Sequence, residues 1–326
     1  MSKTNVRKTS PTSGQVHTNA ILTNISIAYM QNRNDFIADR VFPRVPVQKQ
    51  SDTYYTYDKD DWFTDSAKKR APATESAGGG YRQSDETYNC EVYAFHKDID
   101  TQTRANYDAP LNADRDATEF VTHKLLLKRE LEFVQNFLKS DPWDTVEDLD
   151  AGENYQFDDY DEDIISFVDQ KRRDVKKKTG YKPNKLVLGG RGWDAIKNHP
   201  EILDRIKYTR EAIDINPQLV ARALDLDELI VSEGVYATNP EGEDLDMSHI
   251  VDDKALLLYT PQSPSLLTPS AGYIFAWEGY ADNAYGVGVE DFWMQNIKAD
   301  RIEGEMAFDQ KVTGADLGVF MENVIG

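Results

Sequence analysis

Lys185-Leu186-Val187-Leu188-Gly189-Gly190-Arg191-Gly192-Trp193-Asp194-Ala195 is the stretch on which the reading of this chain turns. Lys185 to Leu188 is a short buried strand by its apolar run, and Gly190 opens into a helix carrying Trp193, Ile196, Ile202, Leu203 and Ile206. Pro200 interrupts that helix or starts its second half. Gly190 to Ala195 also fits G-x-G-x-x-A, the turn that offers backbone amides to a dinucleotide's pyrophosphate. Glu211 and Asp214 lie about where a ribose-binding acid is expected. Three features argue against a nucleotide site. The strand does not read as the first of a βαβ unit, Arg205 to Asp214 is charged where a buried strand should follow, and Trp193 would crowd the phosphates. A lone glycine motif is weak, so the favoured reading is a turn whose Trp packs into the core.

Outward from this turn the chain alternates in texture. Upstream, Ile164 to Lys178 reads as a helix with Ile165, Val168 and Val175 inward, and Lys176, Lys177 and Lys178 at its negative end; Gly180 stops it. Asn112 to Ser140 is the clearest helix, capped by Asn112 or Asp114. Phe120, Leu127, Leu131, Val134 and Leu138 form its main stripe, and Leu126, Phe133 and Phe137 a second. Between these helices, Asp141 to Asp163 holds eleven acids and no base, without EF-hand order, and reads as a solvated loop. Downstream, Pro217 to Leu226 reads as a helix. Strands are expected at Leu229–Val231, Ala255–Tyr259, Tyr273–Trp277, Phe292–Ala299 and Gly304–Val312.

The N-terminal third is built differently. Residues 1–19 are Ser-, Thr- and Asn-rich and read as a flexible arm. Lys3, Arg7, Lys8 and Arg33 fall in residues 1–34, which contain no acid, so they face nucleic acid or an acidic scaffold partner, or are simply solvated. Pro43 and Pro46 force extended backbone. Thr53-Tyr54-Tyr55-Thr56-Tyr57 is rich in strand formers, and its expected partner is Glu86 to Phe95. Between them, Asp65 to Ser84, with Lys68-Lys69-Arg70 and Gly78-Gly79-Gly80, is too long for a tight turn and reads as the tip of a two-stranded ribbon. Such a ribbon cannot bury its own faces and needs an external surface to lie on.

The totals set limits on chemistry. The 326 residues suggest about two domains, and 40% apolar with 11% aromatic residues can bury a core. A net charge of −20 argues against a dedicated nucleic-acid binder. No apolar run is long enough to span a bilayer, and no signal peptide is seen, so an intracellular origin is expected. Lone Cys90 excludes an internal disulfide and reads as a structural thiol; His17, His96, His123, His199 and His249 are scattered. No catalytic, cofactor-binding or metal-ligating set emerges, and no cofactor is expected.

The order of parts is more telling. A basic arm, a ribbon, a long amphipathic helix, a compact α/β segment and closing antiparallel strands follow one another. This order resembles the major capsid proteins of tailed bacteriophages, with the Hong Kong 97 fold. The local matches are Asp163-Ile164-Ile165-Ser166-Phe167 leading to Lys185–Leu188 and Arg191-Gly192-Trp193, the stretch Asn32 to Tyr57 with Val41-Phe42-Pro43, and Leu229–Glu233.

The resemblance implies an α+β chain: an N-terminal arm (1–50), an extended β-ribbon loop (51–95) and a peripheral domain (96–160) with a spine helix at 112–140. An axial domain (161–284) and a return to the peripheral domain (285–326) complete it. Tyr54, Tyr55, Tyr57, Trp62 and Phe63 become inter-subunit anchors, with Lys68, Lys69 and Arg70 meeting acids on the next subunit. Some members join a loop lysine to an asparagine of another subunit, and Lys68 or Lys69 with Asn323 has those residue types.

The implied partners are copies of the chain in hexamers and pentamers, a separate scaffolding protein, a portal, a decoration protein and packaged double-stranded DNA held by non-specific contacts. No membrane is implied. The place is the virion, assembled in the host cytoplasm. Two rivals stand beside this reading: an encapsulin-type nanocompartment shell of the same fold, and a nucleotide-binding enzyme using the Gly190 turn.

Overall fold

The computed structural model describes residues 31–107, 112–150, 155–207, 215–240, 242–264, 267–278, 280 and 287–326. Lys3, Arg7, Lys8, Glu211 and Asp214 lie outside them. The strands are β1 (Arg44–Val47), β2 (Ser51–Tyr57), β3 (Gln83–Asn89), β4 (Glu91–Asp100), β5 (Val146–Asp148), β6 (Lys185–Gly189) and β7 (Glu228–Ser232). They continue as β8 (Val235–Ala237), β9 (Met247–His249), β10 (Ala255–Leu258), β11 (Gly272–Trp277), β12 (Gly288–Met294), β13 (Ala299–Val312) and β14 (Gly318–Glu322). The helices are α1 (Ala38–Val41), α2 (Lys59–Phe63), α3 (Thr101–Ala105), α4 (Ala113–Phe137), α5 (Ile164–Thr179), α6 (Gly190–Asn198), α7 (Pro200–Ile206) and α8 (Pro217–Ala223).

Helix α4 starts where its cap dictates: the Asn112 side chain accepts hydrogen bonds from the amides of Asp114 and Arg115, at 3.0 and 3.1 Å. At about 1.5 Å per residue its 25 residues run roughly 37 Å. Its buried face is Ala117, Val121, Leu125, Leu126, Phe133 and Phe137. This reverses the expected ranking of stripes. Of the expected main stripe only Leu138, just past the helix end, is buried; Leu127, Leu131 and Val134 flank the core, and Phe120 is exposed. The cause is the sheet beneath, which meets α4 along Gly304. A Cβ at that position would stand 2.5 Å from Val121 Cγ1 and 2.8 Å from Leu125 Cδ1, so glycine lets the helix lie directly on β13.

That first sheet runs β1-β11-β13-β12, with β4 also on β13. Ile302, Met306 and Phe308 point at the helix side, while Arg301, Glu303, Glu305 and Asp309 alternate onto the opposite face, which no helix covers among the described residues. The second sheet runs β5-β14-β10-β6-β7 and is buried on both faces. Its strands are accordingly unbroken apolar runs, Leu186–Leu188 and Ala255–Leu258. One face shares a core with α4, Phe42 and the first sheet; the other packs under α5 to α8.

Several expectations need correction. Phe36 to Phe42, inside the expected arm, is a core segment: Ile37, Val41 and Phe42 are fully buried, and the Phe42 ring meets Phe133 edge-on at 5.1 Å. Strand partnership also crosses the expected segment boundaries. β11 joins the first sheet, whereas β5 and β14 join the second. Glu86 to Phe95 is not one strand but β3 and β4, broken at buried Cys90, whose amide donates to the Gln50 carbonyl at 2.8 Å. The strand expected at Phe292–Ala299 ends earlier, because Gln295 to Lys298 make the turn of the β12–β13 hairpin. Finally, β6 and β7 are parallel with α6 to α8 between them, so the strand does open a βαβ crossover.

Candidate assembly surfaces and the glycine turn

β2 and β3 pair antiparallel from Ser51↔Asn89 to Tyr57↔Gln83 and belong to neither large sheet. The period-2 alternation of a strand sends Tyr54 one way and Tyr55 and Tyr57 the other. Tyr54 faces its own chain, 5.3 Å from the Phe275 ring, and burial pushes its phenol up to about 12. Tyr88 stacks on the same ring at 4.7 Å, and Asp309 accepts the Asn89 amide at 2.8 Å. These contacts fasten the ribbon's root to the first sheet.

The far end carries the expected anchors. Asp58 caps α2, whose residues Trp62 and Phe63 are 57% and 64% exposed; Tyr55 is 64% exposed. The rings of Tyr57, Trp62 and Tyr81 stand 5.7 to 6.3 Å apart in one cluster. Tyr81 escaped the sequence reading, although it follows Gly78-Gly79-Gly80 where the chain turns back into β3. Arg82 closes the base of the tip by bonding Asp61 and Asp58. Lys59 reaches Asp316 at 2.6 Å, and the Phe63 ring lies over Gly180 at the end of α5. Lys68, Lys69 and Arg70 are exposed. Asn323 sits far along the chain in the second sheet's margin, its amide donating to Asp148 at 2.9 Å. Arg33 lies in a short 3-10 turn ahead of α1.

The β12 end of the first sheet's face opposite α4, beyond the ribbon's root, is the other conspicuous surface. In register, Glu290 of β12 stands directly opposite Glu303 of β13, with Glu305 two residues on. Like charges opposed across a strand pair repel. Neither Glu290 nor Glu303 makes an ion pair among the described residues, whereas neighbouring Arg301 is taken by Asp98 in a bidentate pair at 2.8 and 3.0 Å. β12 pairs on one edge only and exposes Phe292 and Trp293.

At the glycine turn, the close approach belongs to Gly189. A Cβ there would lie 2.4 Å from the Asp252 carbonyl oxygen and 2.6 Å from that of Val251. That backbone, with Arg191 paired to Asp252 at 3.5 Å, lies across the start of α6. Trp193 is buried in the α5–α8 core. The turn therefore packs two segments of the chain together. Cys90 is fully buried, and burial pushes its thiol up to about 12.

No family model matches the chain. It is 20% identical over 317 residues to the major capsid protein of Burkholderia phage BcepMu, covering 94% of this chain and 96% of that one. It is 25% identical over 325 residues to the major capsid protein of Pseudomonas phage JBD67, covering 93% and 96%. Among solved structures, a phage-related protein from Bordetella bronchiseptica superposes with a TM-score of 0.67 at 22% identity, over 90% of this chain and 94% of that one. The capsid of cyanophage P-SCSP1u follows at 0.61 and 10% identity, over 94% and 92%. The chain is similar to phage major capsid proteins over nearly its whole length and has the Hong Kong 97 fold. The SrpI encapsulin of Synechococcus elongatus shares the fold at a TM-score of 0.53 and 11% identity, over 95% and 94% of the two chains. Among the described residues no helix is long and apolar enough to cross a membrane.

Proposed function

We infer that this chain is the major capsid protein of a tailed phage, whose copies form the hexamers and pentamers of an icosahedral head enclosing double-stranded DNA. The observation that carries the reading is the ribbon. An aromatic tip of Tyr57, Trp62 and Tyr81 held clear of any core is unfavourable in a lone subunit and gains apolar burial only against a neighbour. Its basic residues Lys68, Lys69 and Arg70 find their complement on the first sheet of the next copy, where Glu290 and Glu303 face one another with no ion pair among the described residues. The first sheet with α4 serves as the peripheral domain and the second with α5 to α8 as the axial domain.

Scaffolding, portal and decoration proteins are the further partners of such a shell, and Lys3, Arg7, Lys8 and Arg33 face its DNA or its scaffold. The place of action is the virion, after assembly in the host cytoplasm. Electron microscopy of the expressed chain, alone and with its phage partner proteins, tests the proposal. Closed icosahedral particles are expected; monodisperse monomers under every condition overturn it. Cargo separates the two shells of this fold: double-stranded DNA in purified particles supports the phage head, and a packaged enzyme the nanocompartment.

A further inference from the structure

Glu130 occupies a core position on the buried face of α4, where an apolar residue would be expected, and it is 1% exposed. Its Oε2 accepts two hydrogen bonds, from the amides of Ile37 and Ala38, each at 2.9 Å. Those are orphan amides at the start of α1, whose N-cap residue, Ile37, has no side chain able to cap. The carboxylate therefore caps a helix distant by some ninety residues and ties the segment entering the core to α4. Its second oxygen, Oε1, is buried without a hydrogen-bond partner. The same holds for Oε1 of Gln310, whose amide donates to the Arg129 carbonyl.

We propose that Glu130 is a proton-controlled latch between the α1 segment and α4, with Oε1 the atom that takes the proton. A neutral acid can accept both amides on Oε2 while keeping its hydrogen on the oxygen that faces no donor. An ionised carboxylate leaves a buried charge only half solvated by the protein. The charged groups around it decide the balance. The two amide bonds favour the anion, as does Arg129 on its own helix, whose guanidinium is paired with Asp39. From α1, Asp39 disfavours the anion; from β1, Arg44 acts chiefly on Arg129; β13 contributes the uncharged Gln310. Burial dominates and pushes the acid up to about 7.

The sign follows from that rise. An unfolded glutamate near 4.5 and a docked one near 7 mean that docking of α1 is strongest at low pH. It weakens as pH rises from about 4.5 to about 7, by roughly two orders of magnitude in the local docking equilibrium, and levels off above that. Phe36, Ile37, Val41 and Phe42 remain apolar holdfasts throughout, so the latch tunes the docking of α1 without being its sole support.

Amide hydrogen exchange of the purified full-length chain, corrected for intrinsic rates and followed from pH 4 to 8.5, reads the latch directly. Protection at Ile37 to Val41 is expected to fall between about pH 4.5 and 7 and to level off above, and to become flat with pH in Glu130→Gln. Flat protection in the unsubstituted protein, or the same pH dependence in the Gln variant, overturns the latch. A carboxyl-carbon NMR titration of the unsubstituted protein checks the site without any variant: a buried glutamate titrating near 7 is expected, and only glutamates titrating near 4.5 overturn it. Neither readout depends on shell formation, so failure of the latch leaves the assembly reading untouched.

Discussion

The ring of Tyr88 stacks on that of Phe275 at a centroid distance of 4.7 Å and an interplanar angle of 12°. Tyr88 lies at the end of the ribbon and Phe275 belongs to β11, so this contact is one of those that join the projecting element to the first sheet. Tyr54 closes on the same ring from the other strand, which makes Phe275 the pivot of the ribbon's direction.

Phe275→Ala is therefore expected to free the ribbon and also to cost stability. Removing a buried phenylalanine costs about 3–5 kcal/mol where the site cannot collapse. Here the cavity borders a partly exposed cluster, so the low end of that range is expected in urea unfolding of the unassembled subunit. Limited proteolysis should at the same time cut faster between Asp58 and Arg82. Unchanged cleavage would mean the ribbon is held elsewhere.

Trp62→Ala with Tyr81→Ala should separate folding from assembly. Both side chains are largely exposed and touch chiefly each other and Tyr57, so the subunit's unfolding free energy should change by no more than about 0.5 kcal/mol. The yield of closed particles, measured by sedimentation and electron microscopy, should fall at least tenfold. A variant that loses stability but still forms shells would show that the cluster supports its own chain alone.

Much of this was legible in the residues. Asn112 or Asp114 marked the start of α4, Gly180 the end of α5, and Tyr55, Tyr57, Trp62 and Phe63 the exposed tip, because caps and strand alternation are local. What depended on tertiary contacts was not. The α4 stripe was misranked because Gly304, far away in sequence, decides which side of the helix approaches the sheet. Tyr54 was grouped with Tyr55 although alternation alone turns them to opposite faces; only Phe275 tells which face is inner. Glu130 was invisible, since a charged residue in an amphipathic helix reads as surface unless its long-range partners, the amides of Ile37 and Ala38, are known. The Glu290–Glu303 opposition required the β12–β13 register, which the misplaced turn at Gln295–Lys298 concealed.

Gly304→Ala is expected to destabilise the subunit by about 1–3 kcal/mol, the usual cost of overpacking a closed interface. The added methyl meets Val121 and Leu125, and α4 must lift from β13 to admit it. The check is the urea midpoint of the unassembled subunit, with Gly79→Ala at the ribbon tip as control. No atom lies within 4 Å of a Cβ there, so the control should be neutral.

Cys90 should resist thiol reagents in the folded chain. Its thiol starts near 9.0 and is raised to about 12 by burial, so at pH 8 the thiolate fraction falls by about three orders of magnitude relative to the unfolded chain. Labelling by a maleimide should be at least a hundredfold slower than in urea, and should accelerate in Phe275→Ala, because Cys90 shares that cluster. Rapid labelling of the native protein would place the β3–β4 break at the surface.

A charge swap tests where the ribbon tip lands. If Lys68, Lys69 and Arg70 of one copy meet Glu290 and Glu303 of another, reversing the tip to glutamates should lower the shell yield. Reversing the two acids to lysines should do the same, by setting like charges against each other across the contact. Combining both sets should restore assembly toward the unsubstituted level, since the complementarity is rebuilt with opposite signs. Within the subunit the acid reversal has a second effect of the same origin. Glu290 and Glu303 already repel, and two lysines in their place repel similarly, so folding stability should move little while assembly moves much. The contact is peripheral and exposed before assembly, so its contribution should shrink between about 0.05 and 0.5 M salt. Particles formed normally by either single set, or a combined variant no better than its parents, would place the tip on some other surface of the neighbouring copy.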